Sequence, residues 1–360
     1  MMNTLTLDAA PGARVVAKPS ASADDRAMLR AAADLTRDLN VPNRSIYWID
    51  LIGSAGLGYA ALAGAIGFGG WLAMAAALVS VLALYRAGSM IHEITHIKHA
   101  ALPGFRLGWN LLAGIPLMVP SFMYEGVHNL HHARTRYGTS EDPEYLPLAL
   151  MKPWTLPVFL VVSLLAPVAL IVRFAVLAPL SALFPALRTM VVTRYSSLSI
   201  NPAFRRRLPD GKELRAWHWL EVATSVWAIG LLTAVATGIL PLRAFLIFLG
   251  IASGVAVINQ VRTLVAHLWE NEGEAVSVTA QYLDTVNVPP PALLPVLWAP
   301  VGLRYHALHH LLPGVPYHNL AEAHRRLGKA LTPDSPYHRA SYPGLPGLVW
   351  RLGAGTMKRR

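Results

Sequence analysis

Four stretches of about twenty residues, 47–66, 71–90, 219–239 and 241–261, are almost wholly apolar, and about twenty apolar residues is what a helix needs to cross a hydrocarbon core. Lipid offers backbone N–H and C=O groups no partner, so each stretch has to satisfy its own, as a helix does. Tight connections at 67–70 and 239–243 pair the four into two helical hairpins. The composition agrees: 54% of residues are hydrophobic and 14% charged, against about 25% charged in soluble domains, and the mean hydropathy is +0.41. The expected fold is an all-α integral membrane protein with four transmembrane helices, further interfacial or re-entrant helices and a histidine-rich cytoplasmic cap.

Thirty-one Lys and Arg against twenty Asp and Glu leave a net charge of +11. Such an excess suits nucleic acid or an anionic membrane surface, and its placement favours the membrane. The outer turns of the hairpins hold one basic residue, Arg243, while the other segments hold nearly all the rest, including Arg205, Arg206 and Arg207. By the positive-inside rule both termini and the central loop are cytoplasmic, in a bacterial inner membrane, and no nucleic-acid partner is needed.

The flanks are plainer. Residues 1–22 have no apolar core, so they are neither a secretory signal nor a span. Ser22 and Asp25 are placed to cap a short amphipathic helix over 24–39, with Arg26, Arg30 and Arg37 on its polar face, within an N-terminal tail of 1–44. A membrane domain over 45–328 and a C-terminal tail over 329–360 complete the expected organisation. Two apolar segments fit no simple span. Residues 153–187 are interrupted by Arg173 and carry Pro157, Pro167, Pro179 and Pro185. Their 35 residues fall short of the roughly 40 that two crossings and a turn require. An interfacial or re-entrant hairpin is expected there, as it is for the proline-broken 107–124, each beginning and ending on the cytoplasmic side.

Cysteine is absent, which excludes disulfides, thiolate metal sites and iron–sulfur clusters held by this chain. Histidine is abundant instead, with 14 residues. Eleven fall in four places: HEITHIKH with His92, His96 and His99, HNLHH with His128, His131 and His132, His267 alone, and HALHHLLPGVPYH with His306, His309, His310 and His318. Every one of these places lies at or beyond the cytoplasmic end of a span. On a helix, residues three or four apart share a face, so HxxxH and HxxHH aim several imidazoles at one volume. Imidazole suits Fe, Zn, Cu or Ni, so the ligand type alone names no metal. Eight boxed histidines exceed what one four-coordinate zinc uses, so two ions are expected, and a two-metal centre open to dioxygen suits iron.

With HEITH, HNLHH and HALHH borne on two membrane hairpins and HHLLPGVPYHNL following the third box, the chain resembles the membrane fatty acid desaturase and hydroxylase superfamily over residues 45–328. The resemblance implies a cytoplasm-facing non-haem di-iron centre that uses O2 on an unactivated acyl C–H bond. Its ligands would be His92, His96, His128, His131, His132, His267, His306, His309 and His310. Glu93, His99, Asn259 and Arg262 are expected to support them, with Gln260 nearby, and desaturation of a fatty acyl chain is the expected outcome. Hydroxylation on the same scaffold is the alternative, since product depends on where the substrate carbon sits. HEITH is also a literal H-E-x-x-H, the signature of zinc proteases with Glu93 as base, but that reading leaves both HxxHH boxes and His267 unused. A metal transporter would carry its ligands nearer mid-membrane.

Electrons have to arrive from outside, from a ferredoxin with its reductase or a cytochrome b5-type donor, and the basic face suits an acidic carrier. Trp109, Met123, Tyr124, Trp269 and Trp298 are candidates to line an acyl tunnel. Asp50 and Arg86 lie at similar depth in the first two spans and are expected to pair. His218 between two tryptophans reads as an interface residue, and His324 and His338 as surface residues.

Overall fold

The computed structural model describes residues 25–358, all helices, turns and isolated bridges with no strand among them. Helix α1 (Arg26–Leu35) is capped by the Asp25 side chain, which accepts from the Met28 N–H. Ser22 lies outside the described residues. α2 (Arg44–Gly67) starts at Asn43, whose carboxamide oxygen accepts from Ser45 and Ile46, and turns through Gly70 into α3 (Gly70–Ser89). Gly70 adopts a positive φ of 56°, the conformation only glycine enters without strain. The two helices close tightly: a Cβ on Gly58 would stand 2.6 Å from the Leu84 side chain, and Ser80 donates to the Gly58 carbonyl.

Asp50 and Arg86 do pair, through two 2.6 Å bonds from the guanidinium, and Tyr317 donates to the same carboxylate. A one-residue break at Met90 separates α3 from α4 (Ile91–His96). α5 (Phe105–Trp109) and the π-turn that follows it form a short element whose Asn110 side chain bonds the backbone and hydroxyl of Ser121. Residues 107–124 thus fold back on themselves, as their prolines suggest. α6 (His128–His132) follows at once.

The largest departure from the sequence reading is α7 (Thr155–Ser181), one helix of 27 residues with a π-turn at Val172–Leu177, followed by α8 (Pro185–Tyr195). Among the described residues, five helices rather than four are therefore long and apolar enough to cross a membrane, by length and composition. Prolines at 167 and 179 do not end the helix, because in an apolar setting a π-turn and neighbouring helices can take up the freed carbonyls. Arg173 does not interrupt it either. The side chain turns inward, 3% exposed, to pair with Glu221 at 2.6 Å and to bond the Tyr195 carbonyl and Ser196 hydroxyl. Both ends of 153–198 stay on the side of the histidines, since Leu156 packs against the cluster that holds Trp269 and the Leu198 N–H bonds the Met123 carbonyl. The arms are simply unequal.

α9 (Gly211–Ala236) and α10 (Leu242–Ala266) are joined by a short turn but do not pack along each other as the expected second hairpin would: α10 lies against α7 and α3, and α9 against the π-turn of α7. Arg243 ties the start of α10 to α2 by donating to the Ile66 carbonyl. Ile49, Ile52, Trp71, Met74, Val226 and Leu246 are exposed apolar residues on these helices, and lipid is the solvent that such faces suit. α11 (Val278–Leu283), α12 (Pro295–Trp298), α13 (His306–Leu311), α14 (Leu320–Ala330) and α15 (Leu345–Lys358) build the cap. α1 packs onto it through Met28 and Ala32 against Ala323 and Leu327. Leu348 and Leu352 of α15 bury against Val265 and Leu264 of α10.

Candidate metal centre

Four backbone segments deliver nine histidines to one place. His92 and His96 stand one turn apart on α4, His267 is the residue where α10 stops, and α6 and α13 each present an H-x-x-H-H run. Their ring nitrogens gather into two groups, within each of which the donor atoms lie no more than 4.8 Å apart. One holds His92, His96, His128, His132 and His309, the other His131, His267, His306 and His310. The grouping cuts across the boxes. In each H-x-x-H-H run the i, i+4 pair faces one group and the residue between them, about 300° around the helix from the first, faces the other.

Acceptors behind the rings fix which nitrogen points inward. His131 Nδ1 donates to both oxygens of the fully buried Asp142, at 2.9 and 3.0 Å. His128 Nδ1 donates to Glu144 at 2.8 Å, with Tyr124 alongside. His267 Nδ1 meets the Tyr137 hydroxyl at 3.0 Å, which itself donates to Asp284, as Tyr145 does. His310 Nδ1 lies 2.8 Å from the Gln281 carboxamide. The oxygen acceptors behind His131, His128 and His267 leave an Nε2 lone pair aimed at the centre, the arrangement that orients metal-binding imidazoles, whereas Gln281 presents its amide nitrogen to His310 Nδ1.

The inner nitrogens are then short of protons. His128 and His132 approach Nε2 to Nε2 at 3.0 Å, His267 and His306 at 2.9 Å, and His309 stands 3.1 Å from His96 and 3.2 Å from His132. His131 Nε2 and both nitrogens of His92 are buried with no hydrogen-bond partner. Burial, followed by the neighbouring imidazoles, holds His128, His132, His309 and His310 well below the ordinary histidine range. Burial does the same to His267 and His306, with the charge of Arg262 adding to it. His131 moves up, because Asp142 outweighs the cost of burial. Burial also pushes Glu144 up to about 7 and Asp284 to about 6. Neutral imidazoles with converging, unsatisfied lone pairs fit two cations, and the set is compatible with a non-haem di-iron centre.

Of the expected supporting residues, Glu93 touches the site: its carboxylate is 3.5 Å from His92 Nδ1 and accepts from the Tyr47 hydroxyl and Tyr317 N–H. Arg262 is buried beside it, with an unpartnered Nε. Asn259 is exposed and away from the site, and Gln260 bonds Ser163 of α7. His99 also stands apart. Helix α4 ends at His96 and Ile97 is extended, so the i+7 relation to His92 is broken, and His99 is 59% exposed against Glu125 at 3.2 Å. Asp142, Glu144, Asp284, Tyr137 and Gln281 carry no motif of their own. The only sequence signal for the first two was their nearness to the second box in GTSEDPEY. Among the proposed tunnel residues, Trp109 is core packing that donates to the Ala87 carbonyl, and Met123 packs with Phe122 and Phe174. Trp269 lies against the His267 ring, and Trp298 against Val265 and Val286. Exposed His218 lies against Trp219, while His318 accepts from the Asn43 N–H and His324 bonds Tyr337.

Residues 69–342 match the model of the fatty acid desaturase family. The chain belongs to that family. This desaturase-family chain is also 52% identical over 329 residues to a protein of Caulobacter vibrioides (strain NA1000 / CB15N) named ceramide hydroxylase, covering 90% of this chain and 92% of the relative. No solved structure matches. The chain is thus a membrane-embedded, lipid-modifying oxidoreductase. The relative corrects the expected reaction. Desaturation, read from the histidine boxes, is a poorer fit than hydroxylation, because boxes report the metal centre and not the fate of the carbon next to it.

Proposed function

We propose that this chain hydroxylates a hydrocarbon methylene of a ceramide-type membrane lipid, with O2 as oxidant. The near full-length identity to a hydroxylase carries this reading. Two irons are the cofactor it calls for, with His92, His96, His128, His132 and His309 to hold one, and His131, His267, His306 and His310 the other. When bound, such a pair supplies the reduction of dioxygen and the hydrogen abstraction that no side chain can perform. The balance is one C–H and one O2, with two electrons and two protons from outside, giving one C–OH and one water.

The chain's own part is to hold and to insulate. Asp142, Glu144 and the Tyr137–Asp284 pair hold the Nδ1 side of their rings and so keep the rings in register. Glu93 lies 3.5 Å from His92 Nδ1 without bonding it, and is itself locked by Tyr47 and the Tyr317 backbone. The burial of His128, His131 and His306 keeps bulk water from them. A ferredoxin or cytochrome b5-type protein would deliver the electrons, at a cytoplasmic face of a bacterial inner membrane.

Expression in a bacterium supplied with ceramide, followed by lipid mass spectrometry, tests the reading. The expected product is heavier by one oxygen atom and vanishes in His131→Ala and His309→Ala. A product lighter by two hydrogens, or activity surviving both changes, overturns it.

A further inference from the structure

His99 belongs to the first box by sequence, yet the metal groups do not use it. It lines a cavity of about 400 Å³ together with Arg106, Glu125, Arg206, Lys212 and Trp217. The wall nearest the metal groups is the turn at 122–126, whose Tyr124 bonds His128. Glu125 is already saturated: one oxygen meets His99, and the other accepts from Arg106 and Ser121.

Arg206 is different. It is 7% exposed and held by the carbonyls of Phe122, Ser196 and Glu125, with its guanidinium 4.4 Å above the Trp217 ring. Those partners satisfy its N–H groups but not its charge. The nearest carboxylate, Glu213, stands 3.9 Å away and is itself bonded by Arg207. Lys212 makes no ion pair among the described residues. A buried cation without a full counter-charge, beside a free ammonium, makes a cavity that favours an anion. Phe122 and Trp217, stacked at 4.5 Å, form an aromatic wall.

The surroundings name the source of the anion. Leu107 and Leu111, around α5, are 62% and 58% exposed, and Leu214 and Trp219 of α9 are 44% and 72% exposed. Apolar side chains flanking a basic pocket at the end of a membrane helix mark the level of lipid headgroups. We propose that this cavity binds the phosphate headgroup of an anionic bilayer lipid, with Arg206 and Lys212 supplying the charge. This lipid is a resident ligand, distinct from the lipid that is oxidised.

The test uses the full chain in phosphatidylcholine nanodiscs containing increasing phosphatidylglycerol, with thermal unfolding and native mass spectrometry as readouts. The wild type should gain thermal stability with phosphatidylglycerol and retain it as a discrete adduct. Lys212→Glu should need about ten-fold more for the same gain, the effect of reversing one cation beside a phosphate. Arg205→Glu, on the loop that carries Arg206 and bonded to the Pro202 and Phe204 carbonyls outside the cavity, should behave as wild type. Equal loss in both variants would assign the effect to diffuse surface charge and overturn the proposal. So would the absence of any gain over phosphatidylcholine, or stabilisation by inorganic phosphate alone equal to that by the lipid. None of these readouts depends on hydroxylation, so the result stands apart from the function proposed above.

Discussion

Replacing Asp142 by Asn tests whether the carboxylate behind His131 holds the metal centre together. The side chain is wholly buried and each oxygen has two duties. Oδ1 accepts from His131 and the Glu144 N–H, and Oδ2 from His131 and the Gly138 N–H. An amide of the same shape keeps one acceptor and turns an NH2 toward a backbone N–H, whichever way it is placed. The loss of a charge-assisted bond costs about 1.5–3 kcal/mol and the orphaned N–H about 1–3 kcal/mol. A destabilisation of roughly 3–5 kcal/mol follows, from a change of one atom. Because Asp142 also fixes the His131 tautomer, metal affinity should fall about 10–100-fold. Iron affinity by chelator competition and chemical denaturation of the purified chain measure the two effects. If Asp142→Asn binds iron within about two-fold of wild type and denatures at the same midpoint, the reasoning is refuted.

Arg173→Met leaves Glu221 buried with Arg188 as its one remaining guanidinium, so it should cost about 3–5 kcal/mol, read by denaturation in detergent. An unchanged midpoint would show that the pair contributes nothing to fixing α7. Gly302 has φ +69°, and an added Cβ would lie 3.1 Å from the Tyr317 backbone and 2.8 Å from Leu320. Gly302→Ala should therefore lower both stability and metal content by disturbing the approach to α13, while full metal loading would refute the strain. Acid should act on the metal-free protein in a defined direction. Burial lowers His128, His132, His267, His306, His309 and His310, whereas the unfolded chain takes up protons at about 6.5. Below that pH the unfolded state binds more protons, so stability falls by up to about 1.4 kcal/mol per pH unit for each such histidine. Thermal melts of chelator-stripped protein between about pH 7.5 and 5.5 check the sign, and a midpoint that rises on acidification contradicts it.

The parts of the site readable from residues alone were the local ones. Histidines three and four apart meet on one helical turn wherever the helix goes, and apolar runs of twenty residues make spans in any fold. His99 marks the limit of that logic, since its i+7 placement fails once the helix stops at His96. Asn259 marks another, as it lies near His267 along the chain yet faces outward. Within 153–187 the arginine and prolines read as interruptions along the chain, yet Thr155–Ser181 runs as one helix. A partner on another helix, Glu221, turns Arg173 inward and the π-turn absorbs the strain.

Sequence by itself determined a membrane-embedded helical chain, clusters of imidazoles without thiolates, and the family, because these depend on composition and on spacings within a single turn. Tertiary structure decided how nine histidines divide into five and four, which carboxylates stand behind them, and that His99 serves a basic cavity instead. Some of those contacts join residues more than a hundred positions apart, such as Tyr137 with His267 and His96 with His309, and the nearer ones, such as His131 with Asp142, cross an irregular loop with no helical spacing to foretell them. Only the packing of α4, α6, α10 and α13 brings them within reach.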